Sequence, residues 1–216
     1  MNKRIALDKV SNLIKDNMTI MVGGFLGIGT PEKIIDFLVE KNVQNLTLIC
    51  NDTAFPDKGT GKLILNKQIK KVIVSHIGTN PVTGEQMINK ELEVELIPQG
   101  TLAEKIRCGG TGLGGVLTPT GVGTEVAKGK KIIVINEKEF LLETPLHADV
   151  AIIFASKADE KGNLVYDAST RNFNPLMAMA ADTVIVETKE IVKVGDLHYD
   201  HIVTPHILVD YIVKGE

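Results

Sequence analysis

Apolar residues recur along this chain in two rhythms. Short, nearly continuous aliphatic runs at Thr19–Val22, Leu46–Ile49, Val72–Val74, Val94–Ile97, Ile132–Ile135, Val150–Phe154 and Thr183–Val186 read as strands. Between the early runs, apolar positions fall three and four residues apart, as on one face of a helix. Ile34, Ile35, Leu38 and Val39 form one such stripe, Leu63, Ile64 and Ile69 a second, and Leu102 and Ile106 a third. Strands alternating with helices predict a parallel sheet with helices on its faces, and Val/Ile/Leu-rich strands fit burial on both sides. After Gly109 the helical rhythm fades. Lys131–Ile135 and Phe140–Glu143 read as a hairpin around Asn136–Glu139, and Val150–Ser156 and Leu164–Tyr166 as another around Asp159–Asn163. The expected fold is an α/β open sheet, mostly parallel, with some antiparallel strands in the C-terminal half and helices on both faces. No internal repeat or dividing linker stands out, so a single domain over residues 1–216 is expected.

Composition narrows the classes. The net charge is −3, which argues against a nucleic-acid binder, and aromatics are only 4% with no Trp, so base-stacking platforms are not expected. Cys50 and Cys108 stand in no CxxC pattern, the reading of a reduced protein. The first residues, MNKRIALDKVSNLIKD, mix charge with apolar residues at helical spacing and hold no signal-like apolar core. The longest apolar run, Ile20 to Gly29, is too short to span a bilayer. A cytoplasmic protein is expected.

The chemistry concentrates at glycines. In IMVGGFLGIGTPEKI a strand ends at Gly23 and Gly24, and Gly27 and Gly29 follow before a helix opens at Thr30-Pro31. Thr30 reads as the N-cap, Pro31 as N1 and Glu32 as N2. Free N–H groups of that first turn, with glycines permitting close approach, suit an anion or another polar ligand; a tight strand-to-helix turn is the plainer alternative. It is not a P-loop, since Thr30-Pro31 replaces Lys-Ser/Thr. A second segment, Arg107–Gly123, contains GxGxxG at Gly110–Gly115, but it follows a helix-like stretch and runs into Pro119, so it reads as a ligand-lining loop rather than a dinucleotide fingerprint. In RNFNPLMAMAA, Asn174 reads as a cap with Pro175 at N1, and Arg171 and Asn172 are free to face a ligand or partner. His198, His201 and His206 match no metal-ligand spacing, and no metal is expected. No GxSxG nucleophile is present.

The stretch DNMTIMVGGFLGIGTP (Asp16–Pro31) resembles the signature of family I coenzyme A transferases through Asp16, Asn17, Gly23, Gly24, Phe25, Gly29 and Pro31. NDTAF (Asn51–Phe55), SHIGTNP (Ser75–Pro81), PQGTLAEKIRCGG (Pro98–Gly110), LTPTGVGT (Leu117–Thr124), RNFNP (Arg171–Pro175) and DHIVTP (Asp200–Pro205) extend the resemblance over essentially the whole chain. Within the family it is similar to the α (A) subunits of bacterial acetoacetate/butyrate/acetate enzymes. The resemblance implies a Rossmann-like fold and exchange of CoA between two short-chain carboxylic acids. It implies that Gly24, Phe25, Leu26, Gly27, Ile28, Gly29 and Thr30 form the CoA-binding loop, and that Gln99 is an amide near the reacting carbonyl. It also implies a nucleophilic Glu in an ExGxxG setting. Glu160-Lys161-Gly162 begins that pattern, but Val165 stands where its last glycine belongs. The catalytic Glu is therefore expected on a β (B) subunit, in an α/β hetero-oligomer, with coenzyme A as substrate and covalent carrier and no tightly bound cofactor. A non-catalytic CoA-binding regulatory subunit and part of a CoA-ester hydrolase are the alternatives.

Overall fold

The alternation folds largely as it reads. The structure is a computed structural model that describes residues 3–215. β1 (Thr19–Val22) leads through α1 (Glu32–Lys41) to β2 (Leu46–Ile49), through α2 (Gly61–Leu65) to β3 (Ile69–Val74), and through α3 (Pro81–Ile88) to β4 (Glu93–Leu96). α4 (Gln99–Thr111) then crosses to a small antiparallel sheet of β5 (Val116–Thr118), β6 (Ile132–Ile135) and β7 (Lys138–Glu143), in the order β5-β7-β6. The chain re-enters the main sheet with β8 (Ala148–Asp159), adds β9 (Leu164–Val165) antiparallel to the end of β8, and passes α5 (Asn174–Met177) to β10 (Ala181–Val192) and β11 (Tyr211–Lys214). The strand order is β11-β10-β8-β1-β2-β3-β4, and all these neighbours pair parallel.

The pleat divides the core into two layers. Ile20 and Val22 of β1, with Val150 and Ile152 of β8, pack against Ile34, Ile35 and Leu38 of α1 and Leu63 and Ile64 of α2. Met21, with Ala151 and Ile153, faces Leu102 and Ile106 of α4 and Met177 of α5. Helices cover both faces, and β8 is buried along nearly its whole length, as a central parallel strand should be.

Several expectations need correction. Ile69 belongs to β3, because α2 stops at Leu65 and Lys67 turns the chain through the left-handed region at φ 55°. The glycine-rich segment after Arg107 is not one long loop. α4 runs through Gly109 and Gly110 and ends at Gly112, φ 70°, whose N–H bonds Cys108 O. A Cβ at Gly109 would lie 1.9 Å from Leu146 O, and one at Gly110 2.4 Å from Met179 Cβ, so these glycines serve close packing. The N-terminal stretch forms a 3-10 turn, Leu7–Asn12. The pattern gave no sign of α3, β5 or β11, each short or interrupted by polar residues.

One buried charge cluster ties the small sheet to α4. Glu143 of β7 is 1% exposed and accepts from Lys105 of α4 at 3.0 Å and from Lys130 at 2.5 Å. Burial alone would raise its pKa, but the two ammonium groups outweigh it and hold the carboxyl below its ordinary range. A depressed carboxylate stabilises the fold above the unfolded pKa, and that contribution disappears as pH falls through the folded one. Glu143→Gln should therefore destabilise by about 3 kcal/mol at neutral pH, because it strands the mostly buried Lys105, and lower Tm by roughly 6–12 °C. Thermal melts of both proteins should converge as acid protonates Glu143 in the wild type. An equal gap at every pH would contradict the ion-pair account.

Candidate functional site

The strand order reverses at β1. From β1 the chain builds outward through β2, β3 and β4, and later through β8, β10 and β11 on the other side. In open α/β sheets such a switch point leaves a crevice at the C-terminal strand ends, where ligands bind. The Gly23–Pro31 loop leaves β1 at that crevice.

The loop's form explains its glycines one at a time. Phe25 N–H donates to Ile28 O at 3.0 Å and Ile28 N–H to Phe25 O at 2.8 Å, while Leu26 and Gly27 both have positive φ, 50° and 81°. That is the pattern of a two-residue primed turn. A Cβ at Gly23 would sit 1.8 Å from Asn174 Oδ1, one at Gly24 2.1 Å from Thr30 Oγ1, and one at Gly29 2.7 Å from Thr170 O. These three glycines are required by the protein's own contacts. Only Gly27 faces room: its Cβ would meet nothing nearer than Lys58 Cβ at 3.6 Å.

Asparagines and an aspartate hold the loop. Asn172 Oδ1 accepts from Gly24 N–H at 3.1 Å and its Nδ2 donates to Ile28 O at 3.0 Å. Asn174 Nδ2 donates to Gly29 O and Thr170 O, and its Oδ1 accepts from Phe154 N–H. Asn174 is thus no helix cap; it staples the loop to β8. Leu26 N–H donates to both oxygens of Asp52, at 3.2 and 3.1 Å, which supports a bulky residue in a strained conformation. Asp52 is 5% exposed; burial raises its pKa, against the hydrogen bonds from Leu26, Ala54 and Asn51. The N–H groups of Gly24, Phe25, Leu26 and Ile28 are engaged in these contacts, and those of Gly27, Gly29 and Thr30 have no partner among the described residues.

The helix start differs from expectation. Pro31 occupies the N-cap position and makes no side-chain cap; Thr30 instead packs on Gly24. The cap comes from across the sheet. Glu187 of β10, 5% exposed, accepts from Ile34 N–H at 2.9 Å, with the Lys33 N–H also lowering its pKa. Glu32 N–H donates to Thr30 O and Ile35 N–H to Pro31 O, so with Ile34 N–H on Glu187 most of the first turn of α1 is already engaged. Burial raises the Glu187 pKa, an effect opposed by these N–H groups.

A second loop of the same design follows β2, thirty positions on. Phe55-x-x-Lys58-Gly59-Thr60 repeats Phe25-x-x-Ile28-Gly29-Thr30, and Phe55 bridges Lys58 as Phe25 bridges Ile28. Gly-Thr recurs at 78–79 and 100–101, at or near helix starts, and also at 110–111, where α4 ends, and 123–124. This short repeat corrects the expectation of a chain without internal repeats; its six-residue length and the differing residues between its fixed positions hide it in the sequence. The two loops touch: Gly59 N–H donates to Glu32 Oε1 at 2.9 Å, and Lys62 pairs with Glu32 at 2.7 Å. Together they expose Phe25 (40%), Ile28 (48%) and Phe55 (38%) as an apolar rim. Beside the rim, a cleft of ≈ 640 Å³ runs between Gly27–Thr30, Lys33 and Phe37 of α1, and Glu187 and Lys189 of β10. That volume suits a small ligand or the arm of a larger one.

Gln99, the first residue of α4, lies beyond the ends of β2, β3 and β4. Its Nε2 donates to Asn51 Oδ1 at 2.8 Å, and Ser75 Oγ donates to Asn51 O at 2.6 Å. Elsewhere, Glu160-Lys161-Gly162 forms the turn between β8 and β9, organised by Asp159 Oδ1 accepting from Lys161, Gly162 and Asn163 N–H. The His198 and His201 rings lie 5.0 Å apart, but no group of three or more His, Cys, Asp or Glu among the described residues is placed to hold a metal ion. No described helix is long and apolar enough to cross a membrane.

A parallel sheet with a held glycine loop at its switch point defines an open α/β protein with a candidate ligand crevice at that point. The chain belongs to the coenzyme A transferase family, whose model matches residues 4–215. It is 58% identical, over 99% of this chain and 98% of the relative, to the acetoacetyl-CoA:acetate/butyrate CoA transferase alpha subunit of Clostridium acetobutylicum. It is 56% identical, over 99% and 97%, to the acetate CoA-transferase subunit alpha of Escherichia coli K12. In fold it is similar to an acyl-CoA transferase of Escherichia coli O157:H7 solved as a thioester complex with CoA: the TM-score is 0.86 at 22% identity, over 99% of this chain. The chain spans only 47% of that protein.

Proposed function

We propose that this chain is the CoA-loop half of a two-subunit transferase that moves CoA between short-chain carboxylic acids, with acetoacetate exchanging against acetate or butyrate. The observation that carries the reading is the Gly24–Thr30 loop at the switch point, stapled in place with unpartnered N–H groups at Gly27 and Gly29 and with Phe25 and Ile28 exposed beside them. CoA brings a long, mostly uncharged pantetheine arm, which such a rim can line. A β subunit supplies the nucleophile. Its Glu carboxylate attacks the acyl carbon of acyl-CoA and expels the CoA thiolate, leaving a mixed anhydride. The thiolate then attacks the glutamyl carbonyl and expels the first acid as carboxylate, leaving a glutamyl-CoA thioester. The second acid reverses both steps. Gln99 offers its second Nε2 hydrogen to the developing oxyanion while Asn51 orients the amide. The names of the relatives support the acid pair and the α/β assembly, and the complex acts in the cytoplasm.

Co-expression with an ExGxxG-bearing β subunit and a transfer assay across acetate, butyrate, acetoacetate and succinate tests this. Transfer that favours the first three supports the reading; thioester hydrolysis without transfer, or succinate preferred over all, overturns it. The chemistry needs no Lewis acid. Exhaustive EDTA treatment is expected to leave turnover unchanged, and a loss restored by zinc would instead implicate His198, His201 and His206.

A further inference from the structure

The start of α1 is where a helix would normally receive a ligand anion. Here the protein fills it. Glu187 projects from β10 at the position paired with Phe154 of β8 and Val213 of β11, inside the rigid parallel sheet. Its carboxylate accepts from Ile34 N–H at 2.9 Å, at the head of the helix that follows Thr30 and Pro31. The charges facing it are Glu32 and Lys33 from α1 and Lys189 on its own strand, while the Lys33 ammonium reaches Lys214 O of β11 at 3.3 Å. A phosphate brought here would find the Glu32, Ile34 and Ile35 N–H groups already engaged and would meet the carboxylates of Glu187 and Glu32.

We propose that Glu187 is a positioning residue of the CoA site: it occupies the anion position of α1, fixes where the Gly24–Thr30 loop stands, and leaves that loop for the uncharged pantetheine arm rather than the CoA phosphates. The inference rests on the reading of that loop as the CoA loop. The dipole at the helix start is satisfied internally, so α1 holds the same place whether or not CoA is bound. The loop's remaining donors, at Gly27, Gly29 and Thr30, can bond the amide carbonyls of pantetheine, while the carboxylates of Glu187 and Glu32 in the same cleft disfavour a phosphate there. The phosphates then lie outside the crevice.

The test uses Glu187→Ala and Glu187→Gln in the complex with the β subunit, assayed with acyl-CoA and with the matching acyl-pantetheine, which lacks every phosphate. For Glu187→Ala, KM should rise about tenfold for both thioesters, with kcat at saturation within about twofold. Glu187→Gln keeps one acceptor oxygen for Ile34 N–H, folds in the same way, and should fall between. Nitrate, a carboxylate-shaped anion that cannot accept CoA, should restore KM in the alanine variant. A lowered Tm with both KM values unchanged would reduce Glu187 to a structural cap and overturn the proposal. A KM rise confined to acyl-CoA would also overturn it, by placing the phosphates at α1. Gly27→Val separates the two levels: if that variant binds CoA like wild type, the loop reading itself fails, whatever Glu187 does.

Discussion

Purified without a partner, this chain is expected to show no CoA transfer, a loss of about a millionfold relative to the assembled enzyme, the scale that follows removal of a covalent nucleophile. The structure strengthens the argument beyond the missing ExGxxG, because the three acidic side chains that hold the loop and the start of α1 are themselves held by hydrogen-bond donors. Asp52 accepts from Leu26, Ala54 and Asn51. Glu32 accepts from Gly59 N–H and Lys62. Glu187 caps α1. Glu160 stands in a hairpin turn ordered by Asp159, and Glu104 and Glu125 are bound to Arg107 and Lys128 on their own elements. A carboxylate held by N–H donors is a poor nucleophile, since attack would require breaking those bonds. Adding the β subunit should restore transfer. Incubation with acyl-CoA alone, then borohydride reduction and peptide mass spectrometry, should locate the reduced Glu only in the β chain. A reduced Glu in this chain, or steady turnover by it alone, would refute the division of labour.

How far the sequence reveals the site depends on what kind of contact makes it. The strands and the stripes of α1, α2 and α4 were legible because burial imposes periodicity, and periodicity survives in one sequence. The loop between β1 and α1 was legible because positive φ selects glycine. The partners that hold it were not. Asn172, Asn174, Asp52 and Glu187 lie 26 to 153 positions from the atoms they bond, and hydrogen bonds of that range leave no local pattern. The same gap explains the misplaced cap: Thr30-Pro31-Glu32 has a capping composition, but a carboxylate from β10 took the donors first. It also explains Asn174, whose Asn-Pro setting looked local while its side chain served a distant loop. α3 was missed because Pro81, Thr83, Gly84 and Gln86 break its apolar stripe, and its burial includes the polar Thr83 and Gln86.

Two glycines two positions apart should fail in opposite ways. Both Gly27 and Gly29 have positive φ, 81° and 66°, so either substitution to Val carries a backbone strain of about 1–3 kcal/mol. They differ in what a side chain would meet. At Gly29 a Cβ would lie 2.7 Å from Thr170 O and 2.8 Å from Thr170 Cα, backbone that cannot yield without releasing Asn172 and Asn174. Gly29→Val should therefore unseat the loop and cost several degrees of Tm beyond the strain. At Gly27 the nearest atoms are Lys58 Cβ and Cδ at 3.6 and 3.7 Å, ordinary contact. Gly27→Val should keep its fold, with Tm lowered only by the strain, yet place a branched side chain on the outward edge where the free N–H groups meet ligand. CoA affinity should fall by about tenfold to a hundredfold, about 1.4–2.8 kcal/mol. Calorimetric titration of the assembled Gly27→Val enzyme with CoA, beside thermal melts of both variants, decides the matter. Unchanged affinity at Gly27 would mean that this loop is a turn and nothing more, and the ligand would have to be sought elsewhere along the C-terminal edge of the sheet.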